Sequence, residues 1–294
     1  MIGQATNEAR DQLAARSRAF FARAAELGLN PDPRWFWYHT IDLGRGLVTP
    51  GSFDYRAVLP RYGLPERLRG ARALDVGAAS GFFSLALAAR GAETTACEVP
   101  GFADWDHFPG EAPGSVVEKI RGLLVHHTLW SQAEIDGLFA AADAARLHDL
   151  LLEQPFAFAC RASGLPVRRL QATWRTLERA LAGEPRFDLV LLADVLPHCV
   201  DPLAALAAVA EQCGDRLVVA QELWGEPADP PLLRYIGGDR PGEDVAEWWR
   251  PTFAWFAQVL SKLGFREVRL LDRFDSQVFP AGHRQPKAVI HARR

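Results

Sequence analysis

Apolar positions along the 294 residues recur with two periods. Ala73, Leu74 and Val76 form a short apolar run that stops at Gly77, which predicts a buried strand ending in a tight turn. Phe82, Phe83, Leu85, Leu87 and Ala88 follow at helical spacing, with Ser80 placed as a cap and Gly91 as the stop. A second strand closes at Glu98. Further strands are predicted over 167–171, 187–193, 216–223, 265–271 and 287–292. The 187–193 run is almost unbroken in its apolarity, as for a strand buried on both faces. Helices are predicted over 156–163, from Pro202 behind an Asp201 cap, and over 248–263 ahead of Gly264. Strands that alternate with helices predict an α/β fold whose sheet is mostly parallel, with the last two strands as an antiparallel hairpin.

Two regions stand apart from this alternation. Residues 1–60 read as an N-terminal helix (4–28) followed by an aromatic flap, Trp35-Phe-Trp-Tyr-His39 and a Gly/Pro loop. The rest, 61–294, reads as the main domain. The flap is either core packing or a substrate-facing wall with Trp37, Tyr38 and His39 near a ligand. An insertion over about 101–155 carries helical patterns at Val116, Val117, Ile120, Leu123 and Leu124, a capping box at Ser131-Gln-Ala-Glu134, and a leucine run broken at Pro155. It reads as a helical lid over the mouth of the site, or else as a stabilising or oligomerising appendage.

The turn after the first predicted strand carries the chemistry. Its form is Asp75-x-Gly77-x-x-x-Gly81, and the acidic Glu98 ends the next strand, where a carboxylate can hold two ribose hydroxyls. A dinucleotide fingerprint would have glycine where Ala79 stands, and Asp75 beside the turn would repel a pyrophosphate. A carboxylate there suits S-adenosylmethionine, which has no phosphate and carries an ammonium and a sulfonium. The form resembles motif I of class I methyltransferases.

A wider resemblance covers roughly residues 35–275. Trp-Tyr-His-Thr-Ile-Asp-Leu from Trp37, Val48-Thr-Pro-Gly-x-Phe-Asp, Leu74-Asp-Val-Gly, Asp194-Val-Leu-Pro-His198 and Trp249-Arg-Pro-Thr-Phe253 resemble a bacterial methyltransferase family. Its members are often labelled by similarity to the tRNA wobble-uridine methyl and carboxymethyl transferases. The resemblance implies a Rossmann-like class I fold with a seven-stranded, mostly parallel sheet. It implies S-adenosylmethionine as cofactor, with Asp75, Gly77, Ala78, Gly81, Phe82, Glu98 and Val99 around it. Thr173 and Trp174 stand where such enzymes grip the adenine, in place of the acidic residue relatives often have, and Asp194 and Val195 follow the fourth strand. The carboxymethyl-transferring enzymes have Tyr-His-Arg where this chain has Pro197-His198-Cys199, so the resemblance implies the ordinary donor unless Arg45 or Arg56 compensates. Independently of it, His198 is the leading general-base candidate, because imidazole titrates near neutrality and the crevice at a strand's carboxyl end is where ligands bind. Tyr38 and His39 are further catalytic candidates.

Composition narrows the class. Hydrophobic residues make up 49% and charged residues 23%, and the net charge is −3. That balance offers nothing to a nucleic-acid footprint, which is usually basic. No apolar run is long enough to span a membrane. The four cysteines are scattered, without metal-ligand spacing, and His126, His127 and His148 do not form a metal motif. A reducing cytoplasm is the simplest setting. The expected function is methyl transfer to O, N or C of a small organic molecule, with no metal and with a homo-oligomer left open. The alternatives are a tRNA wobble-uridine modifier and a non-catalytic S-adenosylmethionine-binding regulator.

Overall fold

The computed structural model describes residues 7–112, 114–240, 244, 246–282 and 284–294. In chain order its elements are α1 (Asn7–Glu26), β1 (Phe53–Asp54), β2 (Arg72–Val76), α2 (Phe82–Ala89), β3 (Glu93–Glu98), α3 (Ser115–His127), α4 (Gln132–Ala141), α5 (Ala144–His148), α6 (Gln154–Ser163), β4 (Val167–Gln171), α7 (Leu177–Ala180), β5 (Phe187–Ala193), α8 (Pro202–Glu211), β6 (Cys213–Gln221), β7 (Leu233–Tyr235), β8 (Trp249–Pro251), α9 (Phe253–Lys262), β9 (Glu267–Val278) and β10 (Arg284–Arg293).

The main sheet runs β1-β9-β10-β6-β5-β2-β3-β4. The strands β4, β3, β2, β5 and β6 are parallel, and β10 is antiparallel to β6 and β9. This is the Rossmann-like class I methyltransferase fold, with one addition. The sheet has eight strands where seven were expected, because Phe53 and Asp54 pair with Val278 and Gln277 at its edge. The connection order reverses between β2 and β5, so a crevice opens at their carboxyl ends.

Two apolar layers cover the sheet. Leu85, Leu87, Leu191, Val218 and Val289 pack on one face, and Leu74, Val190, Leu206, Phe256 and Ile290 on the other. Phe20, Trp37 and Tyr55 belong to the first layer, so the helix and flap of residues 7–60 share the sheet's own core. The insertion has a separate core of Phe102, Val116, Ile120, Ile135, Leu147 and Leu151.

Several expectations shift. Ser80 does not cap α2. Gly81 is the N-cap residue, at φ 92, and the Ser80 hydroxyl instead accepts the His39 backbone N–H at 2.9 Å. The helix expected over 248–263 starts only at Phe253. Pro251 forces Arg250 to be extended, Trp249–Pro251 pairs with β7, and the Thr252 side chain caps α9. Pro155 does not break the insertion's last helix. A π-helical turn at Asp149–Glu153 leads into α6, where proline occupies the first turn and needs no N–H partner. The last two strands run well past 271 and start before 287, because a two-stranded edge tolerates the charged, exposed alternation that hid them.

Candidate active site

The crevice between β2 and β5 opens into a cavity of about 300 Å³ with mainly apolar walls. The strand ends provide its floor. Gly77 lies at φ 74, and a Cβ there would come within 2.4 Å of Val195 Cγ2, so the two strand-end turns pack as closely as backbone allows. Its N–H and that of Ala78 both donate to the Cys97 carbonyl, at 2.9 and 3.1 Å.

Glu98 marks the end of β3 and is 7% exposed. One carboxylate oxygen accepts the Ala79 N–H at 2.8 Å and the other the Val99 N–H at 3.0 Å. Each oxygen has a second lone pair, so the fixed carboxylate can still accept a pair of hydroxyls from the cavity side. Ala79 holds φ 44, a left-handed conformation rare for a residue with a Cβ, and the Glu98 bond secures it.

Asp194 follows β5 at φ 54 and pairs with Lys287 Nζ at 2.5 Å. The Lys287 side chain is fully buried, so the pair neutralises a cation that β10 places under the floor. His198 lies in the short turn after β5. Its Nδ1 donates to the Ala246 carbonyl at 2.6 Å, and the ring lines the cavity beside Trp105. With Nδ1 carrying the proton, the neutral imidazole keeps its lone pair on Nε2.

The flap and the insertion supply the walls and roof. Tyr38 stacks on Phe53 at 4.5 Å, and burial pushes its phenol well above the usual range. His39 is pushed down to about 3, chiefly by burial, with the Lys287 charge adding to it. It stays neutral and is a poor proton acceptor, so the structure makes it a wall rather than a base. Ile120, Leu123, Leu124, Leu151 and Leu152 of the insertion line the roof.

Of the sequence-derived site residues, the cavity brings together Tyr38, His39, Gly77, Glu98, Val99, Thr173, Trp174, Asp194, Val195 and His198. It does not reach Asp75, Ala78, Gly81 or Phe82. Asp75 lies beneath the turn, accepts the Ser84 hydroxyl at 2.5 Å, and burial pushes its carboxyl up to about 6. Ala78 packs with Ala96 and Phe156, a Cβ on Gly81 would press on the Phe156 ring, and Phe82 meets the rings of His39, Tyr55 and Phe83 tilted or edge-on. Phe83 lines the cavity instead. Arg45 and Arg56 do not line it either: they bond the Ala162 carbonyl and Asp54.

Sequence reasoning gave no role to Arg250, Glu247 or Asp106. Arg250 lines the cavity and pairs with Glu222 at 3.0 Å, and burial raises the Glu222 carboxyl. Asp106, also at the wall, ties three segments together. It accepts Val200 N–H at 2.8 Å and Trp174 Nε1–H at 3.1 Å, and it pairs with Arg175. Among the described residues the lining holds six carboxylates and one guanidinium, which suits a cation and opposes a phosphate.

The sequence matches no protein-family profile and no curated protein. Solved structures similar to it include the N-terminal domain of EvdMO1 with S-adenosylhomocysteine bound, at 20% identity over 94% of this chain and 96% of that one (TM-score 0.47). Another is the 1,6-didemethyltoxoflavin-N1-methyltransferase of Burkholderia thailandensis, at 18% identity over 81% and 78% (TM-score 0.46). A third is the magnesium protoporphyrin IX methyltransferase of Synechocystis PCC 6803, at 15% identity over 81% and 79% (TM-score 0.40). The fold assignment rests on the strand order and pairing described above. No helix among the described residues is long and apolar enough to cross a membrane.

Proposed function

We propose that this protein is an S-adenosylmethionine-dependent methyltransferase acting on a small organic acceptor of the specialised-metabolite type. The observation that carries the reading is the fixed Glu98 carboxylate beside the Gly77 turn, lining the same cavity as His198. The residues fit the cofactor. A carboxylate with spare lone pairs suits a ribose diol, and a lining rich in acids suits an ammonium and a sulfonium. When bound, S-adenosylmethionine supplies an electrophilic methyl carbon open to in-line displacement.

The chain's own residues then have distinct tasks. Glu98 holds the ribose, and Thr173 and the Trp174 face flank the adenine. Asp194, neutralised by Lys287, offers an acceptor to the amino-acid end. The aromatic flap and the roof exclude water and hold the acceptor against the methyl group. Where the acceptor is a hydroxyl or a protonated amine, His198 Nε2 takes its proton. The donor in this reading is the ordinary sulfonium compound, because the one guanidinium lining the cavity is already paired with Glu222. The acid-rich lining likewise favours a small acceptor over a tRNA.

Incubating the protein with labelled S-adenosylmethionine and small-molecule extracts, then identifying labelled products by mass spectrometry, tests the reading. A methylated small molecule supports it. A methylated or carboxymethylated tRNA in a parallel incubation overturns the acceptor class.

A further inference from the structure

Lys119 lies in the insertion helix α3, yet it is bonded to the loop that holds His198. Its ammonium donates to Asp244 Oδ1 at 2.7 Å and to Glu111 Oε2 at 2.8 Å. All three side chains are nearly out of solvent, at 8%, 4% and 7% exposure. The same Asp244 oxygen accepts the Ala246 N–H at 2.8 Å. The Ala246 carbonyl in turn accepts His198 Nδ1–H at 2.6 Å. Ala246 holds φ 60, a left-handed conformation that is strained for an alanine and persists only where its surroundings impose it. One such restraint is the Asp244 bond. Another is Trp248 N–H to the Pro197 carbonyl at 2.9 Å, which ties the loop to the turn carrying His198.

We propose that Lys119 is a positioning residue for His198. Its ammonium fixes Asp244, Asp244 fixes the left-handed Ala246 peptide, and the Ala246 carbonyl holds the imidazole with its proton on Nδ1 and its lone pair on Nε2. A buried lysine between two carboxylates is held firmly, because leaving either partner unpaired is costly. The consequence is that seating of the insertion and the tautomer of the candidate base are linked. Away from the folded insertion, the loop loses one of its two anchors, and the Ala246 carbonyl is held less firmly against the imidazole. The catalytic meaning of this relay rests on the proposed methyltransferase reading. The relay itself does not.

Nitrogen-15 NMR of histidine-labelled protein tests it, with the His198 signals assigned from His198→Ala. At about pH 8, His198 is expected in the Nδ1–H form, donating to the Ala246 carbonyl. Lys119→Met should move the tautomer ratio about tenfold toward Nε2–H, the equivalent of one weakened buried hydrogen bond. Lys119→Arg, which keeps the charge, should restore the original ratio. An unchanged His198 tautomer in folded Lys119→Met overturns the proposal. Should that variant not fold, Asp244→Asn is read in the same way. A shift supports the relay, and no shift overturns it. Calorimetric titration of the wild-type protein with S-adenosylhomocysteine separates the two levels. No binding with a shifted tautomer overturns the methyltransferase reading and leaves the relay standing, whereas binding with an unshifted tautomer does the reverse.

Discussion

At the scale of single residues, two side chains make contrasting demands on pH and rate. His198 has its tautomer set by the Ala246 carbonyl, which leaves the Nε2 lone pair free of that bond, and its ring lines the cavity, so it is placed to accept a proton. If the acceptor is protonated, His198→Ala should lower kcat by about 10²–10⁴-fold while S-adenosylmethionine binding persists. A rate near that of the wild type across pH would return His198 to a structural role. Asp75 works on stability. Burial holds its folded carboxyl at about 6 against an ordinary 3.8. Between those values the folded state binds more protons than the unfolded one, so Asp75's contribution to stability falls as pH rises from about 4 to about 6. Asp75→Asn keeps an acceptor for Ser84 and removes the buried charge. It should therefore stabilise the protein at pH 8 by up to about 3 kcal/mol, with the gain vanishing near pH 4. Urea unfolding at the two pH values measures the difference, and an equal effect at both would refute the assignment. Glu98 was legible in the sequence because a strand end and an acid mark it. Asp75 was assigned to the cofactor because sequence cannot show that Ser84, in the helix after the turn, claims its carboxylate first.

At the scale of elements, the flap depends on one close approach. A Cβ on Gly51 would fall 1.8 Å from the His39 carbonyl carbon and 2.2 Å from Thr40 N, both backbone atoms that cannot step aside. The same stretch is laced by Thr40 N–H to the Phe53 carbonyl and Thr49 N–H to the Ile41 carbonyl. Gly51→Ala should destabilise the protein by about 1–3 kcal/mol or more, through overpacking, and displace His39 from Ser80. A melting temperature equal to that of the wild type would contradict this packing. Elements with strong local signals were legible. The strands at 167–171 and 187–193 and the helix behind Asp201-Pro202 fall where pattern and capping put them. The β7–β8 ribbon was not, because its three-residue strands sit in a Pro/Gly-rich loop and pair across 16 residues of chain with no periodicity to show it. The roof was legible in the sequence as a helical lid, with an appendage as the alternative, but the bonds that seat it were not. Its joints to the sheet, Lys119 to Asp244 and Asp106 to Val200 and Trp174, span 125, 94 and 68 residues of sequence.

At the scale of the whole molecule, the fold brings four distant segments to one crevice: the flap, the β2 and β3 ends, the insertion, and the turns after β5 and β6. Asp106, in the insertion, joins it to the turn after β5 and to the segment after β4. Asp106→Ala leaves the Val200 and Trp174 N–H groups without their acceptor and should cost about 1–3 kcal/mol. Urea unfolding reads the loss, and an unaltered midpoint would mean that the Asp106 bonds add nothing to the seating of the insertion. The central claim is that this crevice binds S-adenosylmethionine through Glu98. Calorimetric titration of the wild-type protein and of Glu98→Ala tests it most directly. The account predicts saturable one-to-one binding to the wild type, weakened by roughly 2–4 kcal/mol in the folded variant through loss of two charge-assisted hydrogen bonds. Absence of binding to the wild type, or equal affinity in the two proteins, would contradict it.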